Sequence, residues 1–443
     1  MADGNYGAVF LMAVTILVFL VPIFIIFPPI PVEPSDALRQ THSKLGLPPH
    51  QSNLPSQHTS STQEPPQSAR KPAIKSLFVY PVKSCRGIEL ERSKVLPSGF
   101  EHDRLYTFAQ LRPQKTAPPG TQAGQSHAWE FLTLRQLPLL ANVKVDVWLP
   151  DASKKSRQLG PPDATRFVLV RFPWQAPGWR GTVQSLAAKL SRGLGAVPEK
   201  QFLLPLDFPS REEIEARGYE FADVKIWMDV TQALNMSRDL PPELATYLGA
   251  RHQLAIFRSD PSNRRRVFRC APRRETLGYQ PVVDFQDAYP IHLLNLSSIR
   301  ALESRMQKDE SIQTLDARRF RGNIILSGAE EYDEDEWKLV QLKKSSSMQE
   351  DHVIFDVSCR TVRCKLPNVD PATGVRHRVE PDRSLRKHRD VDEGAPNMGC
   401  LGMQLCPLFP NTDSPEQLES YVEVGMDVEV LKRGPHKYIK QSA

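Results

Sequence analysis

Cys359 and Cys364 stand five residues apart in SCRTVRCKLPNVDPATG, with Arg360 and Arg363 beside them. A neighbouring cation favours the thiolate, the form that binds soft metals or attacks electrophiles. The segment reads as a strand end running into the turn former DPATG, a setting that holds one thiolate toward a pocket. The competing reading is two buried thiols packed as small hydrophobes, and spacing alone favours it. A second group is PVKSCRG, where Lys83, Ser84 and Arg86 offer an ammonium, a hydroxyl and a guanidinium. That set suits a phosphate or a pterin phosphate. Arg104, in HDRLYTF, adds a second guanidinium from a neighbouring strand. An ordinary basic turn on a solvated face would use the same residues. RRFRGN leads into the apolar IILSG, which places Arg321 and Asn323 at a strand's mouth. Asn295 to Ser298 opens a helix, where Ser297 or Ser298 reads as an N-cap before it reads as a ligand.

Other chemistries find less support. Cys359, Cys364, Cys400 and Cys406 would make a four-thiolate zinc site only with gaps wider than paired zinc ligands use. Histidine tracts are absent. No GxGxxG, Walker loop or GxSxG stands in a strand-turn-helix setting, which argues against dinucleotide, ATP and serine-hydrolase chemistry.

The elements that must hold these residues follow from composition and periodicity. The chain has 443 residues, 40% of them hydrophobic, enough for two or three domains. A net charge of +6 fits an anionic ligand or a membrane surface and is sparse for nucleic acid. Six cysteines are too few for a disulfide scaffold of this length. Ala8 to Ile30 carries no charge and is long enough for a transmembrane helix, so residues 1–30 are expected to be a single-pass anchor. Residues 31–72, rich in Pro, Ser and Gln, are expected to be a disordered tether. From Ile74 the pattern is of strands. Val143, Val145 and Val147 alternate, TRFVLVRF is strand-like, and VIFDVSCRTVRCKL reads as two strands around a short break. VEVGMDVEVL reads as a closing hairpin-like pair. Leu111 to Ala128 reads as a long polar loop, and the basic run Arg264 to Arg274 as another loop. Pro241 to Gly249 reads as a helix, as does the stretch burying Ile299, Leu302 and Met306.

Singly these signals are weak; their order is not. YPVKSCRGIEL, HDRLYTF, LTLRQLPLLANVKV, LGYQPVVDFQDAYPIHLLNLSSIRAL, RRFRGNIILSG, RCKLPNVDPATG and VGMDVEVL, in that sequence, resemble the MOSC-domain family, in particular the mitochondrial amidoxime reducing components, over about residues 74 to 433. The resemblance implies a mostly β fold with some α: an N-terminal MOSC β-barrel domain, residues 73–260, packed on a β-rich MOSC domain, residues 261–435. It implies a molybdenum cofactor, a pterin whose dithiolene holds the metal, with Cys364 as the protein's thiolate ligand. Lys83, Ser84 and Arg104 match positions that grip the cofactor phosphate. Arg321 and Asn323 match positions beside the pterin, and Asn295 stands where the family often has a hydroxyl residue. The implied activity is reduction of N-hydroxylated compounds with electrons from a cytochrome b5-type partner and its reductase. The implied location is the mitochondrial outer membrane, with the folded part in the cytosol. A cofactor or sulfur carrier without turnover is the alternative. MOSC domains also form the tail of molybdenum-cofactor sulfurases, but residues 1–73 leave no room for a pyridoxal-phosphate-binding desulfurase half. Three departures stand out: the first cysteine precedes Cys364 by five residues where the family usually has three, the loop around Gly120 is longer, and so is the stalk.

Overall fold

The computed structural model describes residues 4–26, 33–54, 71–113, 127–154, 164–344, 352–409 and 418–440. The chain divides into two compact units. The smaller comprises residues 1–43, 150–164 and 174–201. It carries the helices Gly4–Ile26, Pro34–Leu38 and Trp179–Arg192. The expected membrane-spanning helix is not supported. Among the described residues no helix is long and apolar enough to cross a membrane.

The stretch expected as a disordered tether is structured over residues 33–54; residues 55–70 lie outside the described residues. Its polar side chains find partners that its composition does not reveal. In the smaller unit the Gln201 amide donates to Glu33 at 2.6 Å and accepts from the Ser35 N–H at 3.1 Å. In the larger unit the Asn53 N–H donates to Glu89 at 3.0 Å, and Leu54 is buried with Phe78 and Tyr80.

The larger unit is mostly β and holds two strand assemblies. A closed barrel joins Glu220–Ile226, Asp229–Asn235, Leu254–Ser259, Tyr106–Pro113 and His127–Phe131 in that order. The ends of the expected polar loop are therefore strand; its middle, residues 114–126, lies outside the described residues. Inside the barrel Phe131, Val224, Ile226 and Phe257 pack on the small Ala109 and Ala233.

The second assembly has eight strands, ordered Ile324–Ser327, Ile291–Asn295, Cys400–Leu408, His352–Val362, Trp337–Lys343, Asp427–Arg433, Ala73–Val79 and Ile88–Leu90. Ala73–Val79 also pairs with Ile324–Ser327, so the seventh strand meets the first. The first strand after residue 71 therefore belongs with the C-terminal strands, and the sheets do not separate at residue 260. Leu77 and Val79 are fully buried; Leu77 pairs with Ile324 on one edge and Leu90 on the other, and Asp427 joins only at Ala73.

Several local expectations match. Pro242–Leu248 is helical and ends on Gly249 in the left-handed conformation (φ 66°). Leu296–Ser304 buries Ile299 and Leu302, with Met306 just beyond. Others change. The cap of that helix is Asn295, whose side chain accepts from the Ser297 N–H at 3.0 Å, and not a serine. His352–Val362 is one unbroken strand, followed by a 3₁₀ turn at Leu366–Asn368 in place of a second strand. Pro367 cannot donate to a ladder, and the turn suits it. The closing pair splits: Ser420–Glu423 pairs with Arg92–Leu96, while Asp427–Arg433 pairs with Trp337–Lys343.

Candidate active site

The segment after the Ala73–Val79 strand is stitched to the start of the Tyr106–Pro113 strand. The Arg104 N–H donates to Tyr80 O at 2.8 Å, Tyr106 N–H to Pro81 O at 3.0 Å, and Lys83 N–H to Tyr106 O at 2.8 Å. These bonds bring Lys83, Ser84 and Arg104 to one corner. Across from them, the RRFRGN segment enters the Ile324–Ser327 strand, and Cys364 lies just past the end of His352–Val362. All meet at a cavity of about 480 Å³ in the larger unit, whose lining includes Lys83, Ser84, Arg104, Arg321, Asn323 and Cys364. Ligand pockets commonly have about this size. Asn295 is the exception. Its amide donates to Glu330 O at 2.7 Å and to Glu334 at 2.8 Å while its oxygen caps the helix, so it is spent on structure away from the cavity.

The backbone is bent to serve this cavity. Eight non-glycine residues among those described have positive φ. Five of them line the cavity: Ser84, Arg104, Trp227, Arg269 and Arg321. Such conformations cost of order 1–3 kcal/mol each and gather at functional sites.

Lys83 is buried and donates to Phe285 O at 2.6 Å and Asp287 at 2.7 Å. Burial pushes its ammonium down to about 8, with Asp287 opposing. Arg104 and Arg321 flank the Tyr80 ring, their guanidinium carbons 4.9 and 4.1 Å from its centroid. Arg104 is held by Asp103 and donates to Arg321 O at 3.2 Å; Arg321 donates to Cys85 O at 2.7 Å. Burial brings Arg321 down to about 10. Asn323 braces the strands, accepting from His292 N–H at 3.1 Å and donating to Phe78 O at 3.1 Å. Cys364 is half-buried, while Cys85, Cys359, Cys400 and Cys406 are buried. Arg319 anchors the turn that follows Cys364, donating to Asp370 at 2.7 Å and to the Pro367 and Asn368 carbonyls at 3.3 Å. Arg86 turns away and donates to Ala372 O at 3.2 Å.

Six cations line the cavity, Lys83, Arg104, Arg269, Arg321, Arg360 and Arg363, against one carboxylate on its wall, Asp287. With Asp103 paired to Arg104 and Asp392 to Arg360 from behind it, positive charge is still in excess. Arg321 Nη2 and Arg363 Nε are buried without a hydrogen-bond partner among the described residues. A buried donor left unpaired costs about 1–3 kcal/mol, and an anionic ligand in the cavity would satisfy it. A single cavity thiol beside surplus guanidinium donors fits a phosphate-bearing group that also carries a soft metal. Zinc is not supported: among the described residues no group of three His, Cys, Asp or Glu is placed to hold a metal ion.

The MOSC domain model matches residues 280–429, and that of the MOSC N-terminal beta barrel domain matches residues 71–159. Mitochondrial amidoxime reducing component 2 of Rattus norvegicus is 32% identical over 358 residues, 78% of this chain and 80% of that protein. The chain belongs to the MOSC-domain family. Mitochondrial amidoxime-reducing component 1 of Xenopus laevis is 29% identical over 44% of this chain and 51% of its own length. The Homo sapiens component 1 is 33% identical over 25% of this chain and 29% of its own length, so these two matches are partial. Both MOSC segments reach the cavity: Lys83, Ser84 and Arg104 fall in the first, Arg321, Asn323 and Cys364 in the second.

Sequence reading missed part of the wall. Asp287, the partner of Lys83, sits inside the quoted VVDFQDAYP but carried no motif of its own. Trp227, whose indole N–H donates to Asp287 at 3.0 Å, lies at the tip between two barrel strands and outside both matched segments. His292 lies inside the quoted AYPIHLLNL but carried no reading of its own. Burial, with Arg363 and Arg104 near, holds its pKa well below the ordinary value and so keeps it neutral.

Proposed function

We propose that the chain is a molybdenum-cofactor-dependent oxidoreductase that reduces N-hydroxylated small molecules with electrons from a cytochrome b5-type donor and its reductase. The observation that carries this reading is the placement of one half-buried thiol, Cys364, in a cavity with surplus guanidinium and ammonium donors. Family membership and the names of the relatives support it, and their mitochondrial designation favours residence there.

In this reading Lys83, Ser84 and Arg104 grip the cofactor phosphate, Arg321 and Asn323 stand beside the pterin, and Cys364 supplies the metal's thiolate. The cofactor, when bound, supplies the two-electron chemistry that converts an N–O bond to an amine or amidine and water. The protein's work is binding and orientation. Asp103 fixes the Arg104 fork, and the Tyr80 ring spaces it from Arg321. Arg319 holds the turn behind Cys364, which keeps the thiol on the cavity side. Neutral His292 adds no charge against the cations that must meet an anion.

The test is the full-length chain purified from a host that makes the cofactor. Molybdenum and pterin are measured per chain for the wild type and for Cys364→Ala, then benzamidoxime reduction is assayed with a b5-type donor. The reading expects near-stoichiometric metal and turnover in the wild type, with metal lost in the variant. A wild-type chain free of molybdenum would overturn it, and a loaded chain without turnover would identify a carrier. Metal retained in full by Cys364→Ala would remove Cys364 as ligand.

A further inference from the structure

A second sulfur group lies behind the same cavity wall. Cys270 and Cys359 pack together with Cys406, Tyr289 and Tyr438 in one cluster. Cys270 is half-buried on the loop that follows the short Arg265–Arg266 strand; Cys359 is fully buried on the long His352–Val362 strand. The loop is firmly shaped. Arg269 is left-handed (φ 44°), Ala271 N–H donates to Phe268 O at 2.7 Å, and Cys270 N–H donates to the Tyr289 hydroxyl at 3.3 Å. The residues beside and around the pair, Arg269, Arg360, Tyr289 and Tyr438, line the cavity.

The two thiols are electronically unequal. The Cys270 sulfur lies 3.5 Å from the Lys437 carbonyl oxygen; the neighbouring Cys359 thiol and Tyr289 hydroxyl outweigh burial and bring Cys270 down to about 6. Cys359, with the Cys270 sulfur beside it and buried, is held well above the ordinary thiol value. A half-buried thiolate beside a protonated thiol is the division of labour that dithiol chemistry uses: one sulfur attacks, the other resolves. The cluster offers no set of ligands for a metal among the described residues.

We propose that Cys270 and Cys359 form a peroxide-reactive dithiol, with Cys270 the attacking sulfur and Cys359 the resolving one. The Cys270 thiolate attacks one oxygen of hydrogen peroxide. An S–O bond forms, the O–O bond breaks, and the leaving hydroxide takes a proton to become water. Cys359 then attacks the sulfenic sulfur; the S–S bond forms, the S–O bond breaks, and the Cys359 proton leaves in the second water. Two thiols lose two electrons and two protons, and one peroxide becomes two waters. The disulfide would tie the Arg269 loop to the strand bearing Arg360, fixing that part of the cavity wall. The proposal does not depend on the cofactor reading.

The test uses the reduced full-length chain, treated with equimolar hydrogen peroxide, then blocked with iodoacetamide and digested with trypsin. Mass spectrometry should find peptide 270–273 joined to peptide 345–360, and the link should be released by dithiothreitol and absent in Cys270→Ser. Before oxidation, alkylation of Cys270 should titrate with a midpoint near 6 and run at least ~10-fold faster at pH 7 than that of Cys359. In a folded Cys359→Ser variant, dimedone should trap Cys270 as the sulfenic acid. Should Cys359→Ser not fold, the half-buried Cys270→Ser still decides the matter. Two thiols that stay alkylatable after peroxide would overturn the proposal. So would a link through Cys364 or Cys406, or Cys270 oxidised without joining Cys359.

Discussion

Replacing Lys83 by Met separates a cation kept for a ligand from one kept for the fold. Its ammonium has three N–H donors. Two go to Phe285 O and Asp287, leaving the third for a cavity ligand. Burial lowers the group from its ordinary 10.5 to about 8, which disfavours the charged form by about 3 kcal/mol. Between pH 8 and 10.5 the native chain therefore binds fewer protons than the unfolded one, so wild-type stability rises with pH through that window. Lys83→Met removes the rise. At pH 7 it also removes the penalty, while costing the two charge-assisted bonds to Phe285 O and Asp287, ~1.5–3 kcal/mol each. Asp287 keeps the Trp227 indole N–H. The ligand-free variant should then melt at or somewhat below the wild-type temperature. Anion binding should move the other way. Losing one charge-assisted bond, worth ~1.5–3 kcal/mol, should weaken sulfate binding roughly 10- to 100-fold. Wild-type affinity should fall above about pH 8 as the ammonium titrates, and the variant's should stay flat. Sulfate is the suitable probe because it does not titrate in this range. Calorimetric titration and thermal melts at pH 7 and 9 read all four quantities. A variant that melts several degrees lower and binds sulfate as the wild type does would refute the reasoning and make Lys83 a structural cation.

Arg319→Leu breaks a buried contact to Asp370, whose side chain is 28% exposed, so a loss of about 2–3 kcal/mol is expected, below the range for fully buried pairs. The turn after Cys364 should loosen, and the Cys364 thiol should react faster with a disulfide reagent than in the wild type. Glu334 is buried, accepts from Ser298 at 2.7 Å and Asn295 at 2.8 Å, and burial raises it to about 7. The native chain binds more protons than the unfolded one between pH 4.5 and 7, so wild-type stability should fall by about 3 kcal/mol across that window. Glu334→Gln should flatten the fall, which urea melts at pH 5 and 7.5 can check. Gly402 has φ +79°, and a Cβ there would sit 2.4 Å from Leu293 O and 2.7 Å from His292 Nε2. Gly402→Ala should cost at least ~2 kcal/mol and lower the melting temperature by several degrees.

Much of this site is legible in the sequence, for definite reasons. Lys83, Ser84 and Arg104 sit in turns bonded to one another through short-range backbone ladders, so local motifs bring them together. Arg321, Asn323 and Cys364 are fixed by strand ends whose apolar runs announce themselves. What was lost is what depends on distant pairing. Asp287 is chosen by Lys83 from 204 positions away, and nothing local in DFQDAYP marks it. Trp227 acts from a hairpin tip in the left-handed region, where a tryptophan has no propensity to be. The membership of Ala73–Val79 in the C-terminal sheet is likewise a long-range fact: Ile324–Ser327 runs along one edge and Asp427 joins at Ala73, while Ile88–Leu90 covers the rest. Asn295 shows the opposite failure. The family position marks it for a ligand, but a helix begins at the next residue and takes its oxygen as a cap.

The left-handed residues on the cavity explain why chemistry and fold are hard to separate here. Glycine adopts positive φ with no Cβ penalty. Ser84, Arg104 and Arg321 hold that conformation with side chains that glycine would delete. Together the three positions carry roughly 3–9 kcal/mol of strain. Their side chains return only part of it in the folded chain: Arg104 pairs with Asp103 and donates to Arg321 O, Arg321 donates to Cys85 O, and Ser84 reaches Leu132 O at 3.5 Å, a long contact. Arg321 Nη2 is left buried without a partner among the described residues. A sequence under selection for stability alone would place glycine at such positions. Two guanidiniums on one tyrosine ring and a hydroxyl there, lining one cavity with a half-buried thiol, make sense when those groups have a second partner, and an anionic ligand is the partner whose charge and acceptors complete them.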